Sequence, residues 1–247
     1  MKVAVILPAA GLGTRMGKSS AEKAGTSRKQ FMLLEGSPIL IHTVRKFVAC
    51  PRVARVVVAV RGEDREWVYE MLAREFSGER VQVVEGGDSR QESVENALHS
   101  LGPQYELVAV HDAVRPFIDL ETIDAVLDEA ASTGAAIVGV AAVDTVKRVT
   151  RGTSHVKIRE TLPREKLVMA QTPQVFRYEI LTRAFEEARK DGFVGTDESS
   201  MVERLDIEVS VVPGSDRNIK ITKPTDMELA NLFLREELAR TSRAATE

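Results

Sequence analysis

The segment VAVILPAAGLGTRMGKSS (3–20) ends an apolar run at Pro8 and sets Gly11, Gly13, Arg15 and Lys18 in one short loop. Glycines there allow close backbone approach, and amides between a strand's end and a helix N-terminus attract phosphate. Neither familiar glycine loop fits. Gly17-Lys18 follows Gly11 with one residue too many, and Gly13 with one too few, for a P-loop, and Met16 stands where a dinucleotide loop has its third glycine. With Lys23, Arg28 and Lys29 close behind, the loop reads as a cation-rich nucleotide or phosphate site of another kind. The plain alternative is an ordinary βα turn followed by a solvated basic loop.

In LVAVHDAVRPF (107–117), Asp112 falls just past the C-terminal end of an apolar strand, where open parallel sheets keep their ligands. A carboxylate so placed can hold magnesium against nucleotide phosphates, because a hard divalent ion takes oxygen ligands and keeps much of its water. His111 has no partner at metal-ligand spacing and reads as a hydrogen-bonded structural residue. In EGGDSRQESV (85–94), Asp88 or Ser89 is suited to cap a helix, and Thr196 with Asp197 in TDESS reads the same way. Thr172-Pro173 reads as a turn before a helix.

The elements that must position these residues follow from the apolar pattern. Short apolar runs alternate with longer amphipathic ones, which predicts parallel strands covered by helices, an α/β architecture with a Rossmann-like, mostly parallel twisted sheet. Expected strands are Val3 to Leu7, Val56 to Val60, Val81 to Val84, Leu107 to Val110, Ala136 to Val140 and Ile207 to Val212. Trp67, Val68, Met71 and Leu72 share one helical face, as do Val94, Ala97, Leu98 and Leu101, and again Ile123, Val126, Leu127 and Ala130. From about 143 to 172 the rhythm breaks: β-branched residues, turn formers and basic side chains predict short antiparallel strands projecting from the sheet, as an active-site flap or a dimerisation arm. The pattern predicts one domain over 1–237 that includes this arm, and a polar tail over 238–247.

Composition bounds the function. A chain of 247 residues with 43% hydrophobic residues can bury about 70% of its unfolded surface. A net charge of -3 advertises no nucleic-acid partner. The single cysteine, Cys50, cannot form an internal disulfide and suits a reducing compartment. No stretch reaches the ~20 apolar residues of a membrane span, so a soluble cytoplasmic protein with no membrane partner is expected.

Several motifs carry a resemblance. PAAGLGTRMG with RKQF resembles the signature of nucleotidyltransferases that join a nucleoside triphosphate to a sugar or polyol phosphate, and their nucleotide-diphospho-sugar transferase-like fold. GGDSRQESVENAL, HDAVRPF, DTVKR, QTPQVF, TDESSMVE and NIKITKPTDMELA then look closely like the 2-C-methyl-D-erythritol 4-phosphate cytidylyltransferase family of the non-mevalonate isoprenoid pathway. These motifs follow the family's order from residue 8 to about 230. The resemblance implies transfer of a cytidylyl group from CTP to 2-C-methyl-D-erythritol 4-phosphate with Mg2+, in a homodimer. In such a reaction a phosphate oxygen attacks the α-phosphorus in line, and the obstacle is repulsion between two anions rather than a weak nucleophile.

By resemblance, Pro8, Ala9, Ala10, Gly11 and Gly13 bind nucleotide, and Gly87, Asp88 and Ser93 recognise the cytosine base. Arg15, Lys29 and Lys220 are catalytic, with Lys23 as the alternative to Lys29. Asp112 holds the metal and contacts substrate; Arg115, Thr145, Arg164 and Thr196 bind the second substrate, with Arg164 reaching the partner's site through the arm. The family usually has proline where this chain has Arg28, and the loop from Gly17 to Lys29 is somewhat longer than common. Competing readings are a cytidylyltransferase for ribitol phosphate or another polyol phosphate, and a non-catalytic nucleotide-binding protein on the same fold.

Overall fold

The structure is a computed structural model that describes residues 1–11, 28–151 and 155–244. Gly13, Arg15 and Lys23 therefore lie outside the described residues. In chain order the elements are β1 (Val3–Pro8), β2 (Leu33–Leu34), β3 (Ser37–Pro38), α1 (Ile39–Ala49), β4 (Val53–Val60), α2 (Arg65–Ala73), β5 (Val81–Glu85), α3 (Arg90–His99), β6 (Leu107–Val110), α4 (Leu120–Thr133), β7 (Ala135–Ala141), β8 (Lys147–Arg151), β9 (Val156–Thr161), β10 (Val168–Arg177), α5 (Tyr178–Lys190), α6 (Glu198–Glu203), β11 (Ser210–Pro213) and α7 (Pro224–Ala244).

Seven strands form one sheet in the order β11-β7-β10-β6-β1-β4-β5. All neighbours are parallel except β10, which runs antiparallel to both β6 and β7. Side chains of a strand alternate between faces, and β1 uses both. Val3, Val5 and Leu7 join a core with α1, α2 and α4, whereas Ala4 and Ile6 join a second core with α3, α5 and α6. Burial on both faces is why the strands read as continuous apolar runs rather than alternating ones. A third, smaller core packs α7 through Ala230 and Leu234 against Leu34, Val114, Phe117 and Ile221.

From β1 the chain first builds outward through β4 and β5, then returns to β6 on the other side. The crevice beyond the C-terminal ends of β1 and β6 is thus the topological switch point of the sheet. α4 runs almost directly into β7: Gly134 takes φ 96° and its amide donates to Ala130 O at 2.9 Å, a left-handed helix stop that a side chain would strain.

Three expectations change. Thr172-Pro173 lies inside β10 rather than at a turn before a helix. The register of β10 against β7 shifts between Ala170 and Gln174, and such an irregularity is where a sheet accommodates proline, which has no N–H for the ladder. The last strand begins at Ser210, not Ile207, because Asp206 turns the chain at φ 56° first. α7 continues to Ala244, through residues expected as tail, since REELARTSRA is rich in strong helix formers.

β8 and β9 form a separate antiparallel pair, and every residue of β9 is exposed. No helix among the described residues is long and apolar enough to cross a membrane.

Candidate active site

A cleft of about 290 Å³ opens at the switch point. Its walls come from three loops. Pro8, Ala9, Ala10 and Gly11 continue from β1; Gly87, Asp88 and Ser93 belong to the turn into α3 and its first helical turn; Asp112 follows β6. Lys29 and Lys220 line the same cleft.

Local chemistry explains each placement. Ser89 is the N-cap of α3 in a reciprocal capping box: Glu92 N donates to Ser89 Oγ at 3.1 Å and Ser89 N donates to Glu92 Oε2 at 3.0 Å. Ser93 Oγ accepts from Gly87 N at 3.1 Å and donates to Ser89 O at 2.8 Å, closing the turn on itself. A Cβ on Gly86 would come within 2.9 Å of Ala10 Cβ, so glycine there lets this turn press against the β1 loop.

The β1 loop is held by Gln30, a buried amide whose Nε2 donates to Ala9 O at 2.6 Å and Gly11 O at 3.1 Å. On the other side of Lys29, Arg28 pairs with Glu63 and with the buried Asp64. Trp67 Nε1 also donates to Asp64 Oδ1, at 3.2 Å. Lys29 is therefore flanked by two anchored neighbours. Arg28, where the resemblance led to proline being expected, is fixed through charge, by Glu63 and Asp64.

Asp112 is the electrostatic centre. Its amide donates to Thr172 Oγ1 at 3.1 Å. Its Oδ2 receives Arg115 Nε at 3.1 Å and Lys220 Nζ at 2.9 Å, while Oδ1 has Arg90 Nε at the longer distance of 3.4 Å. Burial by itself would raise its pKa, but Arg90, Lys220 and Arg115 together override that and hold the carboxyl well below the usual range.

The cations are themselves fixed. Arg115 Nη1 donates to Asn218 O at 2.7 Å, Asn218 Nδ2 donates to Thr172 O at 2.9 Å, and Ile221 N donates to Val114 O at 3.0 Å. These bonds tie the segment bearing Lys220 to β10 and to the Asp112 turn. Arg90 reaches the other way, donating from Nη1 to Glu198 Oε1 at 2.7 Å.

His111 is wholly buried. Its Nε2 lies 3.0 Å from Arg115 O and its Nδ1 3.1 Å from Thr172 Oγ1. Thr172 Oγ1 already accepts from Asp112 N, so its proton goes to Nδ1 and the imidazole donates from Nε2 to Arg115 O. Burial pushes its pKa down to about 4. It is a neutral, structural histidine.

The remaining expected residues are placed apart. Thr145 is exposed between β7 and β8, and Arg164 is exposed and donates from Nη1 to Val143 O at 2.6 Å. Thr196 is exposed immediately before Asp197, the N-cap of α6. None of the three lines this chain's cleft. Sequence reasoning passed over Gln30, Arg90 and Glu198. Arg90 did leave a signal, being a cation in the first turn of a helix, where the dipole favours anions. Gln30 and Glu198 left none.

An open α/β sheet with a carboxylate ringed by cations at its switch point defines a phosphate-handling α/β protein of the nucleotidyltransferase-like fold. Residues 3–236 match the model of the family IspD, 2-C-methyl-D-erythritol 4-phosphate cytidylyltransferase, and this chain belongs to that family. It is 80% identical over 242 residues to the 2-C-methyl-D-erythritol 4-phosphate cytidylyltransferase of Solibacter usitatus, covering 98% of this chain and 99% of that one. It is 51% identical to that of Acidobacterium capsulatum, over 97% of this chain and all of the relative. The crystal structure of the Francisella tularensis 2-C-methyl-D-erythritol 4-phosphate cytidylyltransferase superposes with a TM-score of 0.77 at 32% identity, covering 94% of this chain and 99% of that one.

Proposed function

We infer that this chain transfers the cytidylyl group of CTP to 2-C-methyl-D-erythritol 4-phosphate, giving 4-diphosphocytidyl-2-C-methyl-D-erythritol and pyrophosphate. The observation that carries the reading is the charge arrangement at the cleft: Lys220 and Arg90, which line it, and Arg115 behind it are gathered on Asp112, with Lys29 lining the same space. Membership of the family supports it.

An oxygen of the acceptor's phosphate forms a bond to the α-phosphorus of CTP as the bond from that phosphorus to the β-phosphate oxygen breaks, and pyrophosphate leaves. No base is needed, because the attacking oxygen is already anionic. Lys29, Lys220 and Arg15 offset the charge that builds on the transferred phosphoryl group. The backbone of Pro8, Ala9, Ala10, Gly11 and Gly13 receives the nucleotide, and Gly87, Asp88 and Ser93 face its base. Arg115, bonded to Asp112, serves the acceptor phosphate, and Thr196, which lies outside the cleft, is assigned to the acceptor by the family resemblance.

Magnesium, which the family resemblance implies, suits the donors present. Among the described residues Asp112 Oδ1 has only the 3.4 Å hydrogen bond from Arg90, and a hard divalent ion needs few protein carboxylates when phosphate oxygens and water complete its shell. Among the described residues there is no group of three or more metal-ligating side chains, so Asp112 would hold the ion together with the nucleotide. When bound it neutralises phosphate charge and polarises phosphoryl oxygens.

Thr145 and Arg164 complete the acceptor site of a second copy in a homodimer. The support is the arm itself: Val143, Val156 and Ile158 are 75%, 64% and 66% exposed, and a two-stranded hairpin is marginal in water without cover. The cytoplasm, where both substrates would be made, is the proposed location.

The test is magnesium-dependent pyrophosphate release from CTP with 2-C-methyl-D-erythritol 4-phosphate, ribitol phosphate or no acceptor. Release with the first alone is expected. A clear preference for ribitol phosphate would refute the acceptor, and silence from folded protein would refute the activity.

A further inference from the structure

Glu198 poses a problem that the reaction above does not solve. Its side chain is completely buried, Oε1 takes Arg90 Nη1 at 2.7 Å, and Oε2 is buried with no hydrogen-bond partner among the described residues. A buried carboxylate with one oxygen unsatisfied is destabilising compared with a well-packed apolar side chain of similar volume. Burial also pushes its pKa up against the pull of Arg90. Yet the backbone around it is held from two sides. Asp197 caps α6 by accepting from Ser200 N at 3.0 Å, and Gln174 of β10 both donates to Asp197 Oδ2 at 2.8 Å and accepts from Ser199 N at 3.0 Å. The fold places this charge deliberately where it is, next to a single guanidinium.

That guanidinium stands between two carboxylates and favours one. Arg90 Nη1 donates to Glu198 Oε1 at 2.7 Å, whereas its Nε makes only a longer, weaker hydrogen bond of 3.4 Å to Asp112 Oδ1. Arginine frequently takes a carboxylate with both arms of its fork. Relieved of Glu198, Arg90 would close on Asp112, whose Oδ2 is already engaged by Arg115 and Lys220. Among the described residues Oδ1 accepts only that one long bond from Arg90, against two donors on Oδ2, so it keeps a lone pair for a further partner, and the closed pair would consume it.

We propose that Glu198 is a positioning residue that draws Arg90 back from Asp112 and so keeps Asp112 Oδ1 open for the divalent cation that accompanies the nucleotide phosphates. The proposal rests on the cytidylyltransferase reading and adds to it a residue 108 positions from Arg90 in sequence that touches no substrate. It explains why an unsatisfied buried charge is retained: its value lies in competition for Arg90, not in stability.

The experiment measures binding without turnover. A non-hydrolysable CTP analogue is titrated calorimetrically into the full-length protein at a series of Mg2+ concentrations, with no acceptor present, and the Mg2+ concentration giving half-maximal affinity is read. Glu198→Gln keeps the volume and removes the charge; it should raise that concentration about tenfold, in the range of losses seen when a group supporting a metal ligand is changed. Arg90→Met/Glu198→Gln removes the guanidinium that would otherwise close on Asp112, and should bring the Mg2+ requirement back toward the wild-type value even if affinity at saturating Mg2+ stays low. Thermal unfolding of the same variants separates this recovery from relief of an unpaired guanidinium: a Mg2+ requirement that merely follows Tm overturns the proposal. An unchanged Mg2+ requirement in Glu198→Gln, or an equal shift in single and double variants, overturns the proposal while leaving the cytidylyltransferase reading intact. Absence of Mg2+-dependent analogue binding in the wild-type protein overturns both. Should Glu198→Gln not fold, the double variant, which buries no unpaired charge, is compared directly with Arg90→Met. A Mg2+ requirement that is the same in these two supports the proposal, and one that differs between them overturns it.

Discussion

Replacing His111 with glutamine should change how stability depends on pH, and the size follows from where the ring sits. His111 is wholly buried, packs edge-on against Phe47 with ring centroids 4.8 Å apart, and uses both nitrogens, one toward Arg115 O and one toward Thr172 Oγ1. Burial lowers its pKa from 6.5 to about 4, against smaller opposing contributions from the Arg115 carbonyl and Asp112. The unfolded chain therefore takes up a proton near pH 6.5 that the folded chain refuses until about pH 4. More protons bound in the unfolded state means that stability rises with pH through this window, is complete above it, and falls by roughly 1.4 kcal/mol per pH unit on descending it. Between about pH 7.5 and about pH 5 the wild-type protein should lose about 2 kcal/mol from this one group. His111→Gln keeps one donor and one acceptor but loses the ring, so it should be less stable at the higher pH, by about 2–3 kcal/mol from lost packing and imperfect hydrogen bonds. At the lower pH that gap should nearly close, because the variant carries no group that titrates there. Urea unfolding followed by circular dichroism at both pH values, wild type against variant, measures the difference with the other titrating groups common to both proteins. A gap of the same size at the two pH values would refute the neutral buried imidazole, and with it the hydrogen-bond assignment that orients the turn bearing Asp112.

Two further outcomes follow. Asp112→Asn leaves Arg90, Arg115 and Lys220 without their shared carboxylate; fully buried pairs broken this way lose about 3–5 kcal/mol, but Arg90 and Lys220 are about a third exposed, so solvent screening reduces the expected loss to about 2 kcal/mol. That corresponds to a fall in Tm of about 4–8 °C for a chain of this size, alongside a loss of kcat/KM of at least about a hundredfold, and a variant as stable as wild type would contradict the electrostatic account of the cleft. Lys29→Ala should reduce kcat far more than it weakens CTP binding, and mixing it with Arg164→Ala should recover part of the activity if the arm completes the partner's site; equal losses in binding and turnover, or no recovery on mixing, would place these residues otherwise.

Much of the frame was legible in the chain. The apolar runs at 3–7, 56–60, 81–84, 107–110 and 136–140 each became strands of the central sheet, because strands buried on both faces have no alternative composition. The position of Asp112 past the end of one such run was enough to place it at the ligand-bearing edge. A cap at Asp88 or Ser89 was visible too, and the structure gives it to Ser89, whose hydroxyl three residues before Glu92 satisfies a helix-end amide. β10 was different. Its second half looked like a turn because of Thr172-Pro173 and its first half like the projecting arm, yet it fills the slot between β6 and β7. Proline chemistry argues against an interior strand locally, and only pairing with two neighbours overrides it.

What the sequence by itself determined is therefore the class of fold, the family and the approximate stations of many of the residues that line the cleft, all of which depend on local periodicity or on contiguous motifs. What only the tertiary structure decided is the electrostatic circuit that makes those residues a site. Arg90, Asp112, Glu198 and Lys220 come from four separated segments, and Gln30 braces a loop whose carbonyls lie 19 and 21 residues before it. Interactions of this kind depend on distance in space and on burial, and neither has a signature along the chain until the sheet brings the segments together.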